Sequence, residues 1–138
     1  SSFDRLFAQF YYPVLFPRPD VLDVASRIRD NHIGTGILSN MITPLARFCR
    51  GEDYFDGFYP VIVSSEVGHM KPEEEIYTTA LQRAGIPKEQ AATALFVDNN
   101  SEYLAAAASV GFQTVLYDNR KDPIATLENR LRDAGVLT

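Results

Sequence analysis

The chain has 138 residues, 46% of them hydrophobic and 22% charged, with a formal net charge of −5 at pH 7. This length and balance suit one globular domain with a buried core and exclude a disordered tail or a repeat array. The acidic balance speaks against nucleic acid or a membrane surface as the main partner, the lone Cys49 leaves no internal disulfide, and no run reaches the roughly 20 apolar residues of a membrane span, so a cytoplasmic setting is expected.

Residues 1–18 are rich in Phe and Tyr and broken by Pro13 and Pro17. They read as a short helix and an extended arm beside a core that starts at Pro19. "RPDVLDVASRIRDN" sets Val21, Leu22, Ala25 and Ile28 on one helical face, and "IGTGILSN" follows as a strand ending at Ser39 and Asn40. "TPLARFCRG" is a short helix closed by Gly51, and "YPVIVSS" a second strand. "PEEEIYTTALQRAG" carries Pro72 in a first helical turn, Glu73 to Glu75 where the helix dipole favours acids, an apolar face of Ile76, Tyr77, Ala80, Leu81 and Ala84, and a terminating Gly85. "TALFVDN", "SEYLAAAASVG", "FQTVLYDN" and "DPIATLENRLRDAG" then read as strand, helix, strand and helix, the last burying Ile124, Leu127 and Leu131. Strands alternating with helices imply an α/β fold with right-handed crossovers and a mainly parallel sheet.

In such sheets ligands bind outside the carboxyl ends of the strands. Ser39 and Asn40 follow the first strand, Asp98 the third, and Lys71 precedes a helix. A hydroxyl donor, an ammonium and a hard oxygen ligand together suit a phosphoryl group with Mg²⁺. Each residue also has a commoner use, Ser39 and Asp98 as helix caps and Lys71 as a solvated loop residue. No Walker loop or Gly-x-Gly-x-x-Gly turn is present, which excludes nucleotide cradles of those types. His69 reads as a surface loop group, Cys49 as a core thiol, and Tyr103 as a residue that lines the pocket or packs under its helix.

"GILSN", "EVGHMKPEEEIY" and "ALFVDNNSEYLAAAASVGFQTVLYD" resemble, in order, the second, third and fourth motifs of the haloacid dehalogenase-like (HAD) hydrolase superfamily. They are most similar to its phosphatase branch with a small helical cap, which includes sugar-phosphate phosphatases and the N-terminal domain of soluble epoxide hydrolases. The resemblance implies a three-layer, Rossmann-like core over residues 19–138, with residues 1–18 a remnant of the helical cap or an N-terminal arm. It makes Ser39 the phosphate-binding hydroxyl with Asn40 beside it, Lys71 the lysine that steadies nucleophile and phosphoryl group, and Asp98 the Mg²⁺ ligand. Asn99 stands where many relatives carry a second acid, so it implies a weaker ligand. The substrate implied is a small phosphorylated metabolite.

The same resemblance demands an Asp-x-Asp motif, whose first acid forms an aspartyl-phosphate and whose second is general acid and base. The 138 residues contain none. Asp4, Asp20, Asp23 and Asp56 do not follow strands with an acid two residues on. The strand that bears the motif is the central one, between the strands ending at Ser39 and Asp98. Without it two strand edges lose their neighbour. The chain is therefore expected to be the C-terminal part of a longer enzyme, inactive alone, or else to fill the slot by a partner chain, a strand swap in a homo-oligomer, or "YYPVLF" of its own arm. Two further readings stand beside the phosphatase: a non-catalytic HAD-like binding or assembly domain, and a 2-haloacid dehalogenase, whose members do not use Mg²⁺ and typically lack the acid at Asp98. A signalling receiver domain fits poorly, because "YPVIVSS" ends in serines rather than an acceptor Asp.

Overall fold

The computed structural model describes residues 19–138. The cap remnant or arm expected over 1–18, and Asp4 with it, lie outside the described residues. Helix α1 (Pro19–Asp30) leads into strand β1 (Ile37–Ser39), helix α2 (Thr43–Gly51) into β2 (Val61–Val63), and a single turn α3 (Ser64–Val67) into α4 (Glu74–Ala84). A 3₁₀ helix (Lys88–Thr93), β3 (Leu95–Asp98), α5 (Ser101–Val110), β4 (Gln113–Leu116) and α6 (Ile124–Asp133) complete the order.

β1 pairs in parallel with β2 in the register Ile37 to Val61, and β3 in parallel with β4 in the register Leu95 to Gln113. The alternation of side chains across the pleat sorts the core into layers. Leu38, Ile62 and Phe96 meet α4 and α5 through Ile76, Tyr77, Leu104 and Ala107. On the opposite face Val63 packs with Leu45, Ala46 and Cys49 of α2, and Val115 with Val24 of α1 and Leu127 and Leu131 of α6. This is the expected helix–sheet–helix arrangement. Both ladders contribute to one of these clusters, yet they are not hydrogen-bonded to each other among the described residues. The central strand expected between the Ser39 and Asp98 ends is thus not one of the described elements. No described helix is long and apolar enough to cross a membrane.

Several local expectations need correction. Pro72 lies before α4, in a turn where the Glu73 amide donates to the Met70 carbonyl at 2.7 Å and the Glu73 carboxylate accepts from the Met70 amide at 2.7 Å. The helix begins at Glu74, with Glu73 as its extended N-cap residue. The second strand stops at Val63, since α3 begins at Ser64, whose hydroxyl accepts from the Met41 amide at 3.0 Å and donates to the Met41 carbonyl at 3.2 Å. On α1 the buried position is Val24, while Leu22 is exposed, since the i, i+3, i+7 row Val21, Val24, Ile28 faces α6. Ala84 is exposed at the end of α4. The 3₁₀ helix carries polar Lys88, Glu89 and Gln90 around one buried residue, Ala91, and so has no apolar period to mark it in the sequence.

Candidate active site

Four of the five residues singled out from the sequence gather at the carboxyl ends of β1 and β3. Lys71 is 8% exposed, the sole buried charged residue among those described. Its main chain is fixed by Asn40, whose side-chain oxygen accepts from the Lys71 amide at 2.9 Å while its side-chain nitrogen donates to the Lys71 carbonyl at 3.1 Å. Both ends of the Asn40 amide therefore work on the Lys71 peptide. The ammonium donates to Asp98 Oδ2 at 2.8 Å. Asp98 Oδ1 accepts from the Asn100 amide at 3.0 Å, and the Asp98 carbonyl accepts from Tyr117 at 3.0 Å, so the carboxylate is anchored by the ladder and by the turn that follows it.

The alternative uses as caps fall away. α5 is capped by Asn100, whose side-chain oxygen accepts from the Glu102 and Tyr103 amides at 2.9 and 3.1 Å. The N-cap residue of α2 is Ile42, with no side-chain cap, so Ser39 is not spent there. The Ser39 side chain, half-buried at the end of β1, makes no hydrogen bond among the described residues. Asn99 is exposed.

Sequence reasoning offered Tyr103 only as lining the pocket or packing under its helix, and it missed Phe96 and the placement of both rings around Lys71. Its ammonium lies 5.0 Å from the Tyr103 ring centroid and 5.5 Å from that of Phe96. The Tyr77 ring packs edge-on to Phe96 at 5.8 Å, and its hydroxyl donates to the Tyr103 carbonyl at 2.9 Å. Burial, then the Asp98 charge, then Tyr103 push the Tyr77 phenol up to about 12, which keeps it a neutral donor. The signal available was an aromatic at five residues past Asp98 and another at six past Lys71, which without the fold looked like ordinary core spacing.

The remaining acids sit elsewhere. Asp20 and Asp23 belong to α1, where Asp20 accepts from the Val21 amide at 2.8 Å and Asp23 pairs with Arg27 at 3.1 Å, and Asp56 is exposed in a loop. His69, Glu73 and Glu75 bring ligand atoms within 4.8 Å of one another at the rim, but both acids are exposed and Glu73 already serves the Met70 amide. A cavity of about 380 Å³ lies beside Phe55, Phe58 and Tyr59 at the start of β2, away from the strand ends that carry Ser39 and Asp98.

What the strand ends offer chemically is one fixed cation, one fixed carboxylate and one unengaged hydroxyl. A sequence model described as haloacid dehalogenase-like hydrolase matches residues 4–111. This chain belongs to that family. As a HAD-like hydrolase it is 30% identical over 112 residues to an (S)-2-haloacid dehalogenase of Pseudomonas putida and to one of Pseudomonas fluorescens, matches that cover 80% of this chain and 48% of each relative. The chain spans about half the length of the curated relatives it matches. Among solved structures it is similar to a HAD phosphatase from Thermococcus onnurineus, with a TM-score of 0.77 and 22% identity over 98% of this chain and 65% of that one. A HAD-family enzyme from Bacteroides thetaiotaomicron, in complex with magnesium and inorganic phosphate, is similar at a TM-score of 0.62 and 22% identity, over 73% of this chain and 53% of that one. An uncharacterized protein from Corynebacterium glutamicum matches 91% of this chain and 90% of its own at 22% identity and a TM-score of 0.66. These likenesses support the α/β HAD core.

Proposed function

We propose that these residues form the phosphoryl-binding part of a magnesium-dependent phosphomonoester hydrolase acting on a small phosphorylated metabolite. The aspartyl-phosphate would form on an Asp-x-Asp strand beyond these 138 residues or on a partner chain, and the 138 residues alone are inactive. The observation that carries this reading is the Lys71 ammonium held 2.8 Å from a carboxylate, Asp98, with the Lys71 main chain clasped by Asn40, the residue after Ser39 at the end of β1. Lys71 supplies a point cation to the phosphoryl oxygens and Ser39 a hydrogen bond.

Mg²⁺ fits as a partial site. Each Asp98 oxygen has one protein partner and retains a further lone pair, and the Asn99 amide is exposed beside it. Mg²⁺ takes one or two carboxylates plus phosphate and water, so a second acid from the Asp-x-Asp strand would complete the set. When bound it neutralises charge on the transferring phosphoryl group. The magnesium and inorganic phosphate in the Bacteroides relative support this ligand class.

The Pseudomonas relatives favour a second reading, dehalogenation of a 2-haloacid. By the family resemblance those enzymes do without Mg²⁺ and typically lack an acid at this strand end, so Asp98 counts against the second reading. Calorimetric titration of the 138-residue chain with inorganic phosphate, with and without Mg²⁺, tests the choice, alongside assays of aryl phosphate hydrolysis and of halide release from (S)-2-chloropropionate. The expected result is phosphate binding that Mg²⁺ tightens, loss of that tightening in Asp98→Asn, and no turnover in either assay. Metal-independent halide release, or no phosphate binding under either condition, would overturn the phosphatase reading. Aryl phosphate turnover would overturn the absence of a nucleophile.

A further inference from the structure

The lysine of this site carries its charge on a flexible four-carbon stem, and a point cation acts on a phosphoryl oxygen only where it is held. The backbone clasp by Asn40 fixes where the stem begins and leaves its far end free to turn. That far end is bounded on one side by Asp98 Oδ2 at 2.8 Å and on others by the Tyr103 ring at 5.0 Å and the Phe96 ring at 5.5 Å. Both ring distances lie within the range at which an aromatic quadrupole attracts an ammonium, and the 9% exposure of the Lys71 side chain strengthens that attraction by excluding water.

Tyr103 is itself held at both main-chain groups by side chains. Its amide donates to Asn100 Oδ1 at 3.1 Å and its carbonyl accepts from the Tyr77 hydroxyl at 2.9 Å. Tyr77 lies on α4, the helix that Lys71 and its turn lead into, and also packs edge-on to Phe96 at 5.8 Å. The segment that delivers the ammonium therefore also fixes the two rings that confine it.

We infer that Tyr103, backed by Phe96, is a positioning residue for the Lys71 ammonium, its ring walling the cation into the place from which it meets an incoming phosphoryl group. The last clause rests on the proposed phosphatase reading; the positioning does not. The ring is what acts, since it is the ring that faces the charge.

Nuclear magnetic resonance of the isotope-labelled 138-residue chain tests this, aided by there being just three lysines, Lys71, Lys88 and Lys121. In the unaltered chain the Lys71 ε-methylene signals are expected upfield of those of Lys88 and Lys121, with cross-relaxation to Tyr103 ring protons. Their absence overturns the inference without recourse to any variant. Tyr103→Phe is expected to keep the shifted signals, and Tyr103→Leu, with its α5 amide signals retained, to move them downfield to the part of the shift that Phe96 supplies. Inorganic phosphate with Mg²⁺ is then titrated, and Tyr103→Leu is expected to bind it about tenfold more weakly while Tyr103→Phe binds as the parent does. Unchanged Lys71 signals in Tyr103→Leu, or equal losses in both variants, would sink the positioning role. If the Lys71 signals move as expected but no chain binds phosphate, the positioning stands and the phosphoryl reading fails.

Discussion

The Lys71 ammonium and the Asp98 carboxylate meet at 2.8 Å with 9% and 11% of their side chains exposed. Two charges this dry depend on each other, because removing one leaves the other desolvated without compensation. Lys71→Met is therefore expected to lower stability by about 3 kcal/mol, read from urea unfolding, whereas the paired change Lys71→Met with Asp98→Leu should recover most of that loss. A single variant as stable as the parent would show that water reaches the pair.

The Asn100 side chain accepts two amides of the first turn of α5. Asn100→Ala should cost about 1 kcal/mol in the same measurement, and Asn100→Asp, which keeps the acceptor, much less. Equal losses in the two would mean that the Asn100 amide, and not its oxygen acceptor, is what matters.

The layers of the fold were legible where the apolar period was strong. In α4, Ile76, Tyr77 and Leu81 are buried as the spacing required, and in α6 Leu127 and Leu131 are. The strand-end rule then brought Ser39, Asn40, Lys71 and Asp98 toward one place from sequence alone. What stayed hidden were relations between side chains distant in sequence. Ser64 bonding the Met41 main chain, and Asn40 clasping the Lys71 peptide, each join residues more than 20 apart and leave no periodic trace. Asn100 was hidden for a different reason, since three consecutive acceptors, Asp98, Asn99 and Asn100, compete for one cap and local propensity ranks them alike. The sequence left Tyr103 open between lining the pocket and packing under its helix, and hid Phe96, because an aromatic beside a cation has the same spacing as one beside a leucine.

Cys49 is fully buried among Leu45, Ala46, Phe55 and Val63. Burial pushes its thiol up to about 11 from an ordinary 9.0. The thiolate is thus disfavoured in the fold, and an aromatic disulfide reagent at pH 8 should label the native chain far more slowly than the chain in urea. The sign of the linkage follows from the raised value: the unfolded chain loses its thiol proton first, so the contribution present below about pH 9 is lost as pH rises through about 11. The urea midpoint should fall across that interval, and more shallowly in Cys49→Ala. A slope unaffected by that substitution would assign the alkaline transition to other groups.

Gly111 closes α5 with φ +119°, and a Cβ built there would stand 2.9 Å from the Cβ of Ala91 in the 3₁₀ helix. Two penalties coincide, a backbone region that side chains avoid and a contact shorter than carbon atoms accept. Gly111→Ala should lower stability by about 2 kcal/mol. Gly34, with nothing within 4 Å of such a Cβ, provides the control, and Gly34→Ala should change stability by less than about 0.5 kcal/mol. The two penalties at Gly111 are separable. Adding Ala91→Gly to Gly111→Ala relieves the contact but not the backbone, so the combined variant should regain part of the loss beyond what Ala91→Gly does by itself. Because β4 starts two residues after Gly111 and its Val115 fills the core beneath α1 and α6, the loss should appear as earlier unfolding of the whole β3–β4 half. Complete recovery on adding Ala91→Gly would show that the left-handed backbone at residue 111 carries no strain of its own.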